Sequence, residues 1–425
     1  RKTLFPEVER VEHGETSGVT QPAKSAPKEA APTQLPQTVF SLGQGGAPVS
    51  AANAASLRTQ ARIGAGAVEH ARWLDASTVV LATRTGMYRY DVASGGLTED
   101  SLLARSGMGV SDDGRLAVAQ LPWWKGGVYD VESRALNTWK IETEKAFIAV
   151  AVSPDCNRVA IFSEGKQHGV SLLRIRNLTE NTQVDIDLPF PSGMSATIAW
   201  SPDGAHIAIG CGPQHAIVDE AGTLRANWYL GTVSVVRFSR DSQQLITATR
   251  ASNSSAPGDK FVRVWDLDGQ LLSEVPTPHD GMYSDIKAIA THPDGQTIAV
   301  GGRDQCVHVL DRREWRRIKL LEPRNIDPMG RENLSWGKAE VSHLEYSPDG
   351  KCLLVCTGNQ PSSVQVWDTT NWKRLSMNCD FAEAFNAMSL SPDGQTLCLA
   401  TSQEAQRYAV GEPSPSVHTG WKGPY

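Results

Sequence analysis

A short phrase recurs along this chain at intervals of about 37 to 55 residues: an apolar strand, a turn written Ser-Pro-Asp-Gly or a near relative, a second apolar strand, and a third ending in Asp. The copies are Ser111-Asp112-Asp113-Gly114, Ser153-Pro154-Asp155, Ser201-Pro202-Asp203-Gly204, Ser239-Arg240-Asp241, His292-Pro293-Asp294-Gly295, Ser347-Pro348-Asp349-Gly350 and Ser391-Pro392-Asp393-Gly394. A weaker one lies upstream at Trp73-Leu74-Asp75. A unit of this length holds four short strands and no core of its own, so the chain must build a stacked or radial array in which each unit is buried by its neighbours.

The phrase has a mechanical meaning. Pro presets φ at the second turn position, Asp bonds backbone nearby and Gly accepts the positive φ that closes the turn, so the flanking strands run antiparallel. Before the turn the pattern alternates, as in Leu344-Glu345-Tyr346; after it come apolar runs such as Ile207-Ala208-Ile209 and Leu353-Leu354-Val355. Alternation marks a strand with one face more exposed, and a continuous run marks one buried on both faces.

A third strand ends in Val264-Trp265-Asp266 and Val366-Trp367-Asp368; the same slot elsewhere reads Tyr90-Asp91, Tyr129-Asp130, Arg176-Asn177, Val218-Asp219 and Leu310-Asp311. With these endings, residues 60 to 410 resemble the WD-repeat β-propellers, whose four-stranded antiparallel blades end their third strand in Trp-Asp. The family's Gly-His dipeptide is missing from every copy, and with it the buried network that uses that His. Repeats that keep S-P-D-G without Gly-His are also similar to the periplasmic TolB-type propellers and to those that cap oligopeptidases.

The resulting expectation is an all-β propeller, with eight blades favoured by the eight turn phrases and seven as the alternative. The last unit lacks a clear outer strand, and a ring leaves no open sheet edge when an N-terminal strand completes it. Thr38 to Leu42 is the natural candidate for that strand; the tail, with Trp421 and Tyr425, is the other. The chain divides into a flexible Pro/Ala-rich linker (1–37), the propeller (38–410) and a Pro-rich tail (411–425). A start at Arg1 behind such a linker suggests a missing catalytic domain or membrane anchor upstream, as in a bacterial multidomain protein with a terminal propeller.

Composition narrows function. A net charge of −6 over 425 residues argues against nucleic acid as partner, since neutralising phosphates requires a concentrated basic surface. Seven Cys without framework spacing point to a reducing, cytoplasmic compartment, while sequons at Asn177, Asn253 and Asn333 point to a periplasmic or extracellular one. No transmembrane stretch is present. There is no P-loop, nucleophile elbow or metal-binding motif, and His279-Asp280 reads as a surface turn. The repeated Asp residues are spread one per blade and cannot converge on a reacting atom. No catalytic residue, cofactor or metal is therefore assigned, and no convergent polar set in the central channel can be named.

What remains is interaction surface. Trp123, Trp124 and Lys125 occupy a Pro/Gly-bounded connection where exposed Trp would bury a large area against a partner. A long insertion from Glu322 to Lys338 carries Arg324, Arg331 and Trp336, and a basic outer strand carries Arg313, Trp315 and Arg316. The chain reads as a non-catalytic protein-interaction scaffold or sensor module, part of a larger polypeptide or complex. The alternative is a substrate-gating or ligand-binding propeller associated with a hydrolase or periplasmic assembly.

Overall fold

In the computed structural model the described residues are 57–63, 68–83, 86–101, 106–121, 125–140, 146–193, 196–231, 233–249, 261–276, 286–323, 340–358, 362–381, 385–401 and 405–410. They form eight four-stranded antiparallel sheets. Blades 1 to 7 cover residues 68–101, 106–140, 147–188, 196–229, 233–276, 286–321 and 340–381, each a simple meander from inner to outer strand. Blade 8 takes its inner three strands from Phe385–Leu390, Thr396–Thr401 and Ala405–Val410 and its fourth from Leu57–Ile63. Inner strands contact their neighbours in sequence around the ring, and the inner strand of blade 1 meets that of blade 8.

An N-terminal strand closes the ring, but not at the expected place. Leu57 pairs with Val410 and Ile63 with Ala405, whereas residues 38–42 lie outside the described residues. The C-terminal tail is accordingly not the fourth strand of blade 8. The seam is strengthened between the inner strands, where Trp73 packs with Ala387, Cys398 and Ala400 and its Nε1–H donates to the Ser389 carbonyl at 3.0 Å.

The turn phrase behaves as its residues dictate. In six blades the Ser hydroxyl donates to the Asp Oδ1 two residues on at 2.5–2.6 Å. The same Ser Oγ accepts the N–H five residues on at 2.8–3.0 Å. Asp Oδ1 accepts a further N–H, as from Ala205 at 3.0 Å. Gly350 closes its turn at φ +73°, and a Cβ there would stand 2.5 Å from the His292 ring. Where the chain lacks Gly, Cys156 and Ser242 take the same left-handed geometry at φ +58° and +62°. In blade 6 His292 replaces the Ser: its Nε2 lies 2.9 Å from the Gly350 carbonyl and its Nδ1 2.6 Å from Asp294 Oδ1, so the ring keeps the contact to the turn's Asp.

These turns also join neighbouring blades. Asp203 N–H donates to Ser242 Oγ at 3.0 Å, Arg158 reaches Glu220 and the Gly204 carbonyl, and Arg312 reaches Asp241. The Asp residues are thus parts of a belt, one per blade.

Behind it, the second strands are buried almost throughout; Cys352–Gly358 has no exposed residue. The outer strands face solvent, as in Ala135–Lys140. Each interface between blades holds one apolar cluster, such as Phe162, Leu173, Trp200, Ile207 and Ile209 between blades 3 and 4. The side chains of six of the seven Cys are described, and all six are free. Cys352 and Cys356 share one face of a strand and one core cluster, as their spacing implies.

Candidate functional site

The inner strands bring together a set of residues that no local motif connects. Strand register places Arg72, Gly109, Ala151, Ala199, Arg237, Ala290, Glu345 and Ser389 on one rung around the ring. In seven blades this is the residue two before the turn phrase; in blade 1 it precedes Trp73. A cavity of about 770 Å³ runs through this level, lined by inner-strand residues of six blades and by Asp112 and Asp113 of blade 2. It is the central channel. Four blades line the rung with Ala or Gly, and three supply charge.

Arg72 donates from Nη1 to the Ala71 carbonyl at 2.9 Å, and its Nε lies 3.9 Å from Asp112 Oδ1. Arg237 donates to the Val236 carbonyl at 3.3 Å, and channel solvent reaches its side chain although protein surrounds it. Enclosure and Arg72 lower the pKa of Arg237 from its usual value, with Asp112 acting in the opposite direction. Lys287 pairs with Glu340, which also accepts from Arg303 Nε at 3.0 Å.

His343 and Glu345 neighbour one another on the inner strand of blade 7 and are displaced in opposite directions. Burial pushes the His343 imidazole down to about 4; its contact with the Asn386 carbonyl works against that, and the charges of Arg72 and Lys287 add to it. Burial pushes the Glu345 carboxyl up to about 7, against the Leu390 N–H and Arg72. Both Glu345 oxygens accept that N–H, at 3.2 and 3.1 Å. Both groups therefore lean toward their neutral forms near pH 6, leaving Arg72 and Arg237 as the rung's fixed charges. Among the described residues no group of three or more His, Cys, Asp or Glu is placed to hold a metal ion.

The residues singled out from sequence are distributed elsewhere. Trp123, Trp124, Arg324, Arg331 and Trp336 lie outside the described residues, as does His279-Asp280. Lys125 is exposed at the start of the third strand of blade 2. Arg313 and Arg316 are exposed, and Arg316 pairs with Glu314. Trp315 is different: it is 8% exposed, at φ +47°, and packs among Val264, Val275 and Leu310 between blades 5 and 6. A tight turn directs its ring inward, so it forms no part of the exposed basic strip. Arg312, from the same cluster, is committed to Asp241 of the neighbouring blade.

The family model of the WD domain, G-beta repeat, matches residues 273–311. That stretch runs from the outer strand of blade 5 (Leu271–Pro276) to the end of the third strand of blade 6 (Val307–Asp311). At residues 273–311 this propeller carries a WD repeat. None of the repeats carries the Gly-His dipeptide. Periodic tryptophan protein 2 of Saccharomyces cerevisiae is 24% identical over 212 residues, covering 47% of this chain and 21% of the yeast protein. WD repeat-containing protein VIP3 of Arabidopsis thaliana is 29% identical over 118 residues, 28% of this chain and 32% of VIP3. Small ribosomal subunit protein RACK1y of Oryza sativa subsp. japonica is 27% identical over 176 residues, 40% of this chain and 45% of that protein. The matched stretches span less than half of each relative. All three organisms are eukaryotes, so the expectation of a bacterial source finds no support.

The propeller replaces the missing His network with local pairs. Trp265 Nε1–H donates to Thr247 Oγ1 at 2.8 Å, fixing the third strand of blade 5 to the second. In blade 6 the buried His308 Nε2 and Asp304 carboxylate join across the hairpin. WD-repeat propellers as a class bind protein partners and are generally not enzymes. No helix among the described residues is long and apolar enough to cross a membrane.

Proposed function

We propose that this propeller is a non-catalytic scaffold that docks protein partners through the loops and outer strands where the repeat is interrupted. The observation that carries the reading is the phase of the WD-domain match, which coincides with an outer strand and the next three strands of a closed ring. Such a ring is a rigid platform, and rigid platforms place specificity in irregular loops. Trp123, Trp124 and Lys125 form the first docking site, with Arg324, Arg331 and Trp336 as a second. The exposed Arg313 and Arg316 supply positive charge for an acidic partner. Free thiols at all six described Cys support a reducing compartment, and we assign the protein to the cytoplasm.

The test is stoichiometric capture from native lysate by the wild-type chain and by Trp123→Ala plus Trp124→Ala. Loss of the captured protein from a variant with an unchanged urea midpoint supports the scaffold. Equal capture removes the Trp pair from the interface, and absence of any stoichiometric partner overturns the reading.

A further inference from the structure

The charged rung of the channel is unaccounted for by protein docking on loops. A ring that needed only rigidity would carry small residues there, and Ala151, Ala199 and Ala290 show that Ala satisfies the position. Arg72 and Arg237 instead sit in blades 1 and 5, on opposite sides of an eight-sheet ring, and line the same cavity. Its volume of about 770 Å³ falls within the range of small-molecule sites, ~300–1,000 Å³.

We infer that the central channel binds a small multivalent oxyanion, with phosphate or carboxylate groups held between the Arg72 and Arg237 guanidiniums. Guanidinium matches such groups because its planar fork of N–H donors pairs two oxygens at once. These two side chains have donors to spare: each makes one hydrogen bond to a backbone carbonyl, and Arg72 has in addition a distant Asp112. Asp112 is a weak competitor, its side chain fully exposed at the channel mouth and 3.9 Å away. Glu345, the one acid on the rung, is engaged by the Leu390 N–H. Ser389 adds a hydroxyl at the same level, and His343 stands one rung away. An anion between the two arginines would offset the positive potential that helps keep His343 neutral, so its binding raises the His343 pKa.

The experiment titrates pyrophosphate, inorganic phosphate and citrate into the full chain at about 150 mM NaCl, where exposed charges are largely screened. Calorimetry gives the affinity, and the histidine NMR signals locate the site. A multivalent anion should bind with 1:1 stoichiometry and shift the His343 titration upward. Arg72→Ala and Arg237→Ala should each weaken binding by about tenfold or more, and the double variant should abolish it. Both variants install the residue that three other blades already carry, and an unchanged urea midpoint verifies their fold. Arg313→Ala plus Arg316→Ala, in the turn before and at the start of the outer strand of blade 6, should change nothing. Preference for pyrophosphate identifies a phosphorylated ligand, and preference for citrate a carboxylate one. Absence of binding tighter than about 1 mM, or equal binding by the double variant, overturns the assignment.

Discussion

Removing one hydroxyl tests whether the repeated turn is structural. Ser201 is fully buried in blade 4; its Oγ–H donates to Asp203 Oδ1 at 2.5 Å and its Oγ accepts the His206 N–H at 2.8 Å. Ser201→Ala deletes both bonds and leaves the His206 N–H without that acceptor. A neutral bond contributes about 1 kcal/mol and a bond to a charged group about 1.5–3. Asp203 is solvent-exposed, which places its bond at the lower end of that range. The expected loss is therefore about 2–3 kcal/mol, read as a lower urea midpoint with an unchanged m value. Combining Ser201→Ala with Asp203→Ala in a double-mutant cycle should give a coupling of about 1 kcal/mol. A loss below about 0.5 kcal/mol, or no coupling, would mean that the backbone bond from Gly204 N–H to Ser201 O, at 2.8 Å, closes the turn alone. The recurring Ser and Asp would then need a functional explanation, and this reasoning would fail.

Three further outcomes follow from the same geometry. Cys156→Gly relieves a left-handed non-Gly residue at φ +58° and should stabilise the protein by about 0.5–1 kcal/mol, measured by urea unfolding. Asp241 is held at about 2, because the bonds from Arg312, Ser239 and the Gln243 N–H outweigh the upward push of burial. Its contribution is present above the unfolded value near 3.8 and is lost as pH falls toward 2, so the stability difference between wild type and Arg312→Ala should shrink across that window. Glu345 has the opposite sign: with its pKa raised to about 7, the folded state keeps a proton that the unfolded chain has lost above about 4.5. Wild-type stability should thus fall between pH 4.5 and 7 relative to Glu345→Gln, in thermal melts across that range.

The fold was legible because its signal is repeated. Each S-P-D-G phrase states a hairpin, and seven phrases at a steady interval state an array even where Gly is replaced by Cys156 or Ser242. The closing strand was legible in kind and misplaced in position. An outer strand is exposed on one face and polar on the other, so Leu57–Ile63, written LRTQARI, carries little apolar pattern to distinguish it from other N-terminal segments such as Thr38 to Leu42. Trp315 was misread for a related reason: its neighbours in sequence are arginines that face water, and only the positive φ of the turn directs the indole into the interface.

The channel was hidden because its residues are far apart in sequence and are, by the logic of a repeat, its variable positions. The signal was present two residues before each turn phrase, where the chain reads Gly109, Ala151, Ala199, Arg237, Ala290, Glu345 and Ser389, but strand register is needed to show that these share a rung. The energetics then separate this set from the basic outer strand. Arg313 and Arg316 sit in water and cost the fold little. Glu345 is enclosed and its carboxyl is displaced toward the neutral form, while Arg237 stands in a channel that solvent reaches, where three other blades carry Ala. Arg72 and Arg237 therefore stand at one level of the channel with a single exposed carboxylate, Asp112, beside Arg72, and a small oxyanion is the ligand whose chemistry their remaining donors match.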